Sequence, residues 1–311
     1  MTQVKTAIKA IAALGEPGVR MRDICLKVAE YNENMELGYA KHTLGNSIRR
    51  AIYENLGDDK EGTFVREGKG YYRLSIHIIV NTVVHADAWK FARLMPSESV
   101  ALIATDPPWT ALDKHRAVGT TTRLTQRSWF QTRDVDKGLL QNMARILQKG
   151  RHMYLFHPAL NEDTIKTVAQ LSQWADEVGL TFKKAIVWDK QSMGMGYCYR
   201  YQHELVLFLS KGKARKLNDL GVSDVMPFKR VSQKTQVHDC QKPVELLKLL
   251  IRESTDKGEI VADFFAGSGS TGEACKALGR NYIMVDVNLK WVKHMKKTLR
   301  PKRILSLTQG G

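Results

Sequence analysis

Val100-Ala101-Leu102-Ile103-Ala104-Thr105-Asp106-Pro107-Pro108-Trp109 is the stretch whose reading decides the fold. Its uninterrupted apolar run, 100–104, reads as a buried strand. Two consecutive prolines then stop it, because each fixes φ and removes an N–H donor. Asp106-Pro107-Pro108-Trp109 should therefore sit where a sheet ends and a cleft begins, with the carbonyls of Asp106 and Pro107 left to accept from something other than the sheet. A carboxylate that only accepts, unpaired carbonyls and a flat aromatic ring then converge within about one turn of chain. That set suits an exocyclic amino group on a planar ring, such as adenine N6 or cytosine N4, with Trp109 stacked on the ring. A plainer reading stays open here, in which a proline-terminated strand carries a Trp that plugs the core.

A second stretch, Asp263-Phe264-Phe265-Ala266-Gly267-Ser268-Gly269-Ser270, joins an apolar strand over 259–262 to a helix over 270–278. Gly267 and Gly269 permit a tight turn and close approach of a ligand to the backbone, and the helix N-terminus directs free N–H groups there. The next strand, 281–285, ends at Asp286, where a ribose diol could donate; the competing job for Asp286, as for Asp87, is a helix N-cap. Gly272 completes a Gly-x-Gly-x-x-Gly spacing, so a dinucleotide such as NAD stays a rival on spacing alone. Charge favours another nucleoside. No Lys or Arg stands in the turn to meet a phosphate, and Asp263 would repel a diphosphate but attract the ammonium and sulfonium of S-adenosylmethionine.

The 311 residues suffice for one sizeable α/β domain and a small one. Forty-eight Lys and Arg against 32 Asp and Glu give a net charge of +16, which favours a polyanionic partner. The charge is uneven: residues 1–78 hold 12 basic and 10 acidic side chains, so nearly all the excess lies beyond them. Cys25, Cys198, Cys240 and Cys275 lack metal-ligand spacing, so no metal site is expected. Neither a membrane-length apolar stretch nor a signal-peptide pattern is present, which predicts a soluble protein of the cytoplasm.

Residues 1–76 read as a separate module. Helical spacing recurs over 4–12, 21–29 (Ile24, Val28) and 41–56 (Leu44, Ile48, Ile52, Leu56), and 63–74 alternates around Gly68-Lys69-Gly70 as a hairpin does. Three helices and a basic hairpin look like a winged-helix module, in which Arg49, Arg50, Lys69 and Arg73 would meet DNA; a helical protein-interaction domain is the alternative. Residues 77–311 then alternate strands (78–84, 100–104, 152–156, 182–188, 203–209) with helices (to 94, 137–148, 161–178, from 243 and from 289), which argues for a largely parallel sheet. Two segments without periodicity, 110–135 and 211–238, are basic and read as DNA-contacting loops, the first with Lys114, Arg116, Arg123 and Arg127. The helix from Leu289 carries Lys290, Lys293, Lys296, Lys297 and Arg300 and no acid, at least a solvated face.

With both motifs in hand, residues 78–300 resemble the β-class DNA amino-methyltransferases, in which the catalytic tetrapeptide precedes the cofactor glycines, as here. Further matches are Trp188-x-Lys190 leading to Arg200-Tyr201-Gln202-His203-Glu204, then Gln241-Lys242-Pro243, and Gly279-Arg280. The resemblance implies an α/β fold, a permuted Rossmann-like methyltransferase sheet following the small N-terminal winged-helix-like domain. It implies S-adenosylmethionine as cofactor and double-stranded DNA as substrate, with the target base flipped out. Asp106, Pro107, Pro108 and Trp109 would be catalytic; Asp263, Phe265, Gly267 and Gly269 would line the methionine side of the cofactor, Asp286 its ribose, Asp87 its adenine, and Lys242 and Pro243 the far edge of its pocket. Phe264 departs from the family's usual Pro, and the segment between Glu204 and Gln241 is short for target recognition. Adenine N6 is favoured because the family's cytosine enzymes more often begin the tetrapeptide with Ser. Cytosine N4, an RNA adenine, and a catalytically silent DNA-binding regulator are the alternatives, and whether the enzyme acts as a homodimer or beside a nuclease is left open.

Overall fold

The computed structural model describes residues 19–21, 23–25, 28, 47–52, 64–68, 71–74, 79–109, 133–194, 199–232, 234–238 and 240–306. Lys69 of the expected wing and the loop residues Lys114, Arg116, Arg123 and Arg127 lie outside these. In the N-terminal part, strands β1 (Val19–Arg20), β2 (Phe64–Gly68) and β3 (Tyr71–Leu74) form an antiparallel sheet in the order β1-β3-β2. The β2–β3 pair is the hairpin read from the alternation, and Arg73 lies on its second strand opposite Val65. Ile24, Val28, Ile48 and Ile52, placed on helix faces by their spacing, are buried, and Arg49 and Arg50 are exposed in the helical stretch 47–52.

The main sheet has nine strands among the described residues, in the order β12-β4-β11-β10-β5-β6-β8-β7-β9. They are β4 (Thr82–His85), β5 (Val100–Thr105), β6 (Leu147–His157), β7 (Leu180–Asp189), β8 (His203–Lys211), β9 (Val225–Pro227), β10 (Ile260–Asp263), β11 (Asn281–Asp286) and β12 (Arg303–Ser306). Pairing is parallel from β12 to β6; β8 runs antiparallel between β6 and β7, and β9 lies parallel on the outer edge of β7. Every residue of β5 is buried, as a central strand covered on both faces requires.

Helices α1 (Ala88–Leu94), α2 (Lys137–Ile146) and α3 (Thr164–Glu177) cover one face, where Phe91, Leu139, Met143 and Leu171 share a core with Ile103 and Leu155. Helices α4 (Val244–Ser254), α5 (Ser270–Leu278) and α6 (Leu289–Leu299) cover the other, where Leu247, Leu250, Cys275 and Met295 pack with Leu102 and Ala104. Neighbouring residues of β5 thus feed opposite cores, which follows from the two-residue period of a strand.

Several boundaries differ from the sequence reading, three of them with a clear cause. Strand β4 begins at Thr82, because 79–81 form a turn in which Asn81 takes φ of +53°. Helix α2 stops at Ile146 and β6 starts at once, since Leu147 pairs with Val100 of β5. Pro243 is the N-cap of α4, one position earlier than expected. The short edge strands β9 and β12 carry no alternation long enough to read.

Candidate active site

Strands β5 and β10 are neighbours in parallel register, Leu102 opposite Val261 and Ile103 opposite Ala262. Asp106 and the glycine turn, far apart in the chain, therefore leave the sheet side by side at its carboxyl edge. Side chains tie the two exits together. Thr105 Oγ1 donates to Asp263 Oδ1 at 2.6 Å and accepts from the Phe264 N–H at 3.1 Å. Asp263 also accepts from Thr271 Oγ1 at 2.6 Å and from the Phe265 N–H at 3.0 Å. Burial pushes the Asp263 carboxyl upward, and those donors oppose the rise. With 4% exposure and three protein donors, Asp263 holds the turn; direct contact with a cofactor cation, the expectation from charge, is not the job its geometry gives it.

At the end of β5 the Asp106 carboxylate meets Lys242, with Nζ 2.5 Å from Oδ2. The same ammonium lies 3.5 Å from Glu204 Oε2, and Lys190 lies 3.3 Å from Glu204 Oε1. Two lysines and two carboxylates so alternate from β7 and β8 to the start of α4. Burial pushes the Asp106 carboxyl up to about 6 and Lys242 pulls against it, while the negative charges of Glu204 and Asp263 assist the rise. Burial also works against ionised Glu204, but Lys242 and Lys190 outweigh it and hold that carboxyl below its usual value. Lys242, despite burial, is held firmly protonated by Asp106 and Glu204. The resemblance puts Lys242 at the edge of the cofactor pocket; here its charged end is on the Asp106 carboxylate. Lys190 and Glu204 carried no assigned role, although both fall in stretches that matched the family.

Two other expectations at the tetrapeptide change. The Pro107 carbonyl already accepts from the Trp109 N–H at 3.0 Å, and the Pro108 carbonyl accepts from the Arg133 N–H at 3.0 Å. Trp109 is 1% exposed, its Nε1 donates to the Phe156 carbonyl at 2.8 Å, and its ring meets His157 edge-on at 4.8 Å. In this structure Trp109 is the core plug and anchors the tetrapeptide to β6; no open face is presented for stacking a base.

In the turn, Gly267 takes φ of +48° and its N–H donates to Asp286 Oδ2 at 2.8 Å, while Asp286 Oδ1 accepts from the Asn288 N–H at 2.7 Å. Burial pushes Asp286 up to about 7 against those two donors. Asn288, and not Asp286, is the N-cap of α6. A Cβ at Gly267 would stand 3.3 Å from His238 Nε2; at Gly269 (φ +88°) it would fall 2.7 Å from Met295 Cγ, and at Gly272 2.6 Å from Leu299 Cδ1. Gly269 and Gly272 are thus glycines because α6 packs against them, and Gly267 alone of the three faces the cleft side chain His238.

Phe265 lies edge-on to Trp89 at 5.7 Å, and the Arg133 guanidinium covers the Trp89 ring at 3.8 Å. Trp89 and Arg133 border a cavity of about 400 Å³ together with Asp87, Lys90, Arg93 and Asp136. Asp87 is the N-cap of α1, accepting from the Lys90 N–H at 3.0 Å. The cavity's lining includes Lys90, Arg93 and Arg133 and none of Phe265, Gly267 or Asp286. The glycine turn itself carries no Lys or Arg to meet a phosphate, which fits a cationic nucleoside such as S-adenosylmethionine better than a diphosphate.

The profile of the N6_N4_Mtase family, described as DNA methylase, matches residues 100–297. This chain belongs to that family. DNA adenine methyltransferase YhdJ of Escherichia coli K12 is 26% identical to the methylase over 249 residues, 68% of this chain and 80% of its own. The crystal structure of the M1.HpyAVI–SAM complex superposes with a TM-score of 0.52 at 23% identity, covering 70% of this chain and 98% of that one. PvuII DNA methyltransferase, which is cytosine-N4-specific, gives 0.55 at 16% identity over 72% and 94%. These two likenesses speak to the fold, the Rossmann-like methyltransferase sheet. The chain is an S-adenosylmethionine-dependent DNA methyltransferase of the N6-adenine and N4-cytosine group. Among the described residues no helix of the methylase is long and apolar enough to cross a membrane, and no cluster of three or more metal-ligating side chains occurs.

Proposed function

We propose that this methylase modifies the exocyclic N6 of adenine in duplex DNA, with Asp106 as the residue that grips the amine. The supporting observation is the adjacency of two strand exits, Asp106 after β5 and the Gly267 turn after β10, cross-tied by Thr105 and Asp263. When bound, S-adenosylmethionine supplies a methyl group activated on a sulfonium. Asp263 and Asp286 hold the turn beside which it would sit, with Phe265 on the methionine side, and Asp87 would meet its adenine. The target base must leave the duplex, at a cost of a few kcal/mol. Lys242 occupies Asp106 Oδ2, which leaves Oδ1 to accept an N–H of the amine, and an ionic acceptor makes the stronger bond. Such a bond holds a nitrogen whose lone pair is otherwise delocalised into the ring and draws it toward tetrahedral geometry.

Adenine is preferred because the tetrapeptide begins with Asp, and YhdJ, a relative of known base preference by its name, is an adenine enzyme. Cytosine N4 is the second reading, favoured by the likeness to PvuII methyltransferase. Mass spectrometry of digested DNA after incubation with methyl-labelled cofactor decides: N6-methyladenine is expected, and N4-methylcytosine alone would overturn the base. Label in RNA but not in competing duplex DNA would overturn the polymer.

The N-terminal module, in this reading, is winged-helix-like and contacts duplex DNA through the helical stretch bearing Arg49 and Arg50. Exposed Lys229 and Arg230, beside Lys190 in the loop after β9, extend the basic surface next to the catalytic cluster. Binding that weakens steeply with salt is expected, because phosphate contacts release counterions.

A further inference from the structure

Lys242 has three N–H bonds to place, and three acceptors stand around it. Its Nζ lies 2.5 Å from Asp106 Oδ2, 3.5 Å from Glu204 Oε2 and 3.5 Å from the Cys240 carbonyl. Only one oxygen of Asp106 is taken. An ammonium on a flexible stem that faced a lone carboxylate would be free to rotate and straddle both oxygens. Glu204, on the other side of Lys242, pulls against that.

Glu204 is itself pinned. It stands opposite Trp188 in the β7–β8 register, and Lys190, two residues beyond Trp188, reaches it diagonally with Nζ 3.3 Å from Oε1. The Lys190 backbone is fixed in turn, its N–H donating to the Gln202 carbonyl at 2.9 Å and its carbonyl accepting from the Arg230 N–H at 3.4 Å. Each oxygen of Glu204 thus faces one lysine. Lys242 Nζ lies over the rings of Phe156 and Trp188, 5.2 and 6.0 Å from their centroids, and so close to apolar surface charges act on one another strongly. A shielded alternation of charges adds little net stability, so its place beside the tetrapeptide points to another use. We propose that Glu204 is a positioning residue for methyl transfer: it holds the Lys242 ammonium on Oδ2 of Asp106 and so keeps Oδ1 open to the amine. Glu204 acts through Lys242 alone. The inference rests on the reading of Asp106 as the group that grips the amine.

Single-turnover methyl transfer to duplex DNA by the full chain, followed across pH, tests it with Glu204→Gln, Lys242→Met and the double variant. Glu204→Gln keeps the size and one acceptor oxygen and loses the charge. Its rate above the acidic limb should fall about ten-fold while affinity for S-adenosylmethionine stays within about two-fold of wild type. The charged groups facing Asp106 are Lys242, Glu204 and Asp263, and the negative charge of Glu204 is one of those that raise it. The acidic limb of Glu204→Gln should therefore move to lower pH, opposite to that of Lys242→Met. On the Lys242→Met background Glu204→Gln should change the rate by less than about two-fold, since the residue it acts through is gone. Equal losses on both backgrounds would overturn the proposal, as would an unchanged rate in the single variant. Should Glu204→Gln not fold, Lys190→Met, which releases one Glu204 oxygen, carries the same comparison: a loss of about three-fold is expected, absent on the Lys242→Met background, and no loss at all would overturn the proposal. Full transfer by Asp106→Ala in the same assay would remove the reading of Asp106 itself, a separate outcome.

Discussion

The Lys242 ammonium lies 2.5 Å from the Asp106 carboxylate and joins the segment before α4 to the exit of β5 across 136 positions of chain. That cation opposes the burial that raises the Asp106 carboxyl. Asp106 sits near 6 with Lys242 pulling it down, so activity should fall as pH drops through about 6 and the carboxylate protonates. Lys242→Met removes the pull, and its acidic limb should move to higher pH by about one unit or more. The pH profile of kcat/KM is the measurement; an unmoved limb would separate Lys242 from the chemistry.

Thr105 acts on the same carboxylate indirectly, by tying its strand to Asp263. In Thr105→Val the Phe264 N–H and one Asp263 oxygen lose a buried partner, which should cost about 1–3 kcal/mol in urea unfolding. The two strand exits should also lose their relative placement, so kcat should fall more than cofactor affinity does. Thr105→Ser, which keeps the hydroxyl, should restore most of both.

How much of this was legible beforehand depends on the range of the interaction. Helix α5 is legible at its observed bounds and α6 from its observed start, because periodicity and cap residues are local signals. The apolar runs at β5 and β10 were equally plain, but their pairing spans about 160 residues and only the family resemblance hinted at it. Sequence alone leaves Trp109 open between a stacking surface and a core plug; the Phe156 carbonyl, on another strand, decides its rotamer. The pairing of Lys242 with Asp106 escapes for the same reason, since the two residues lie far apart in sequence.

Gly269 illustrates a further point, because its lack of a side chain serves α6 and not a ligand. Gly269→Ala would place a Cβ 2.7 Å from Met295 Cγ at a left-handed backbone, and a loss of about 1–3 kcal/mol is expected. Met295→Ala should relieve the steric part, so the pair should be less unstable than the sum of single changes. Additivity in thermal or urea unfolding would show that the strain lies in the backbone alone.

His152 is buried between Ser254 and the Arg215 carbonyl, and burial lowers it to about 4 from 6.5. Its depressed value means that its contribution is present above 6.5 and lost as pH falls toward 4, where the unfolded chain binds the extra proton. His152→Asn should therefore be less stable at pH 7 and show a shallower loss of stability between pH 6.5 and 4, read as urea midpoints.

In the proposed reaction the Asp106 carboxylate and the Gly267 turn serve one cleft, the first gripping the amine and the second the methyl donor. Single-turnover methyl transfer to duplex DNA by Asp106→Ala, with cofactor affinity measured on the same preparation, tests it most directly. Transfer should fall by about a thousand-fold or more while affinity for S-adenosylmethionine changes little. Full transfer by Asp106→Ala would contradict the account.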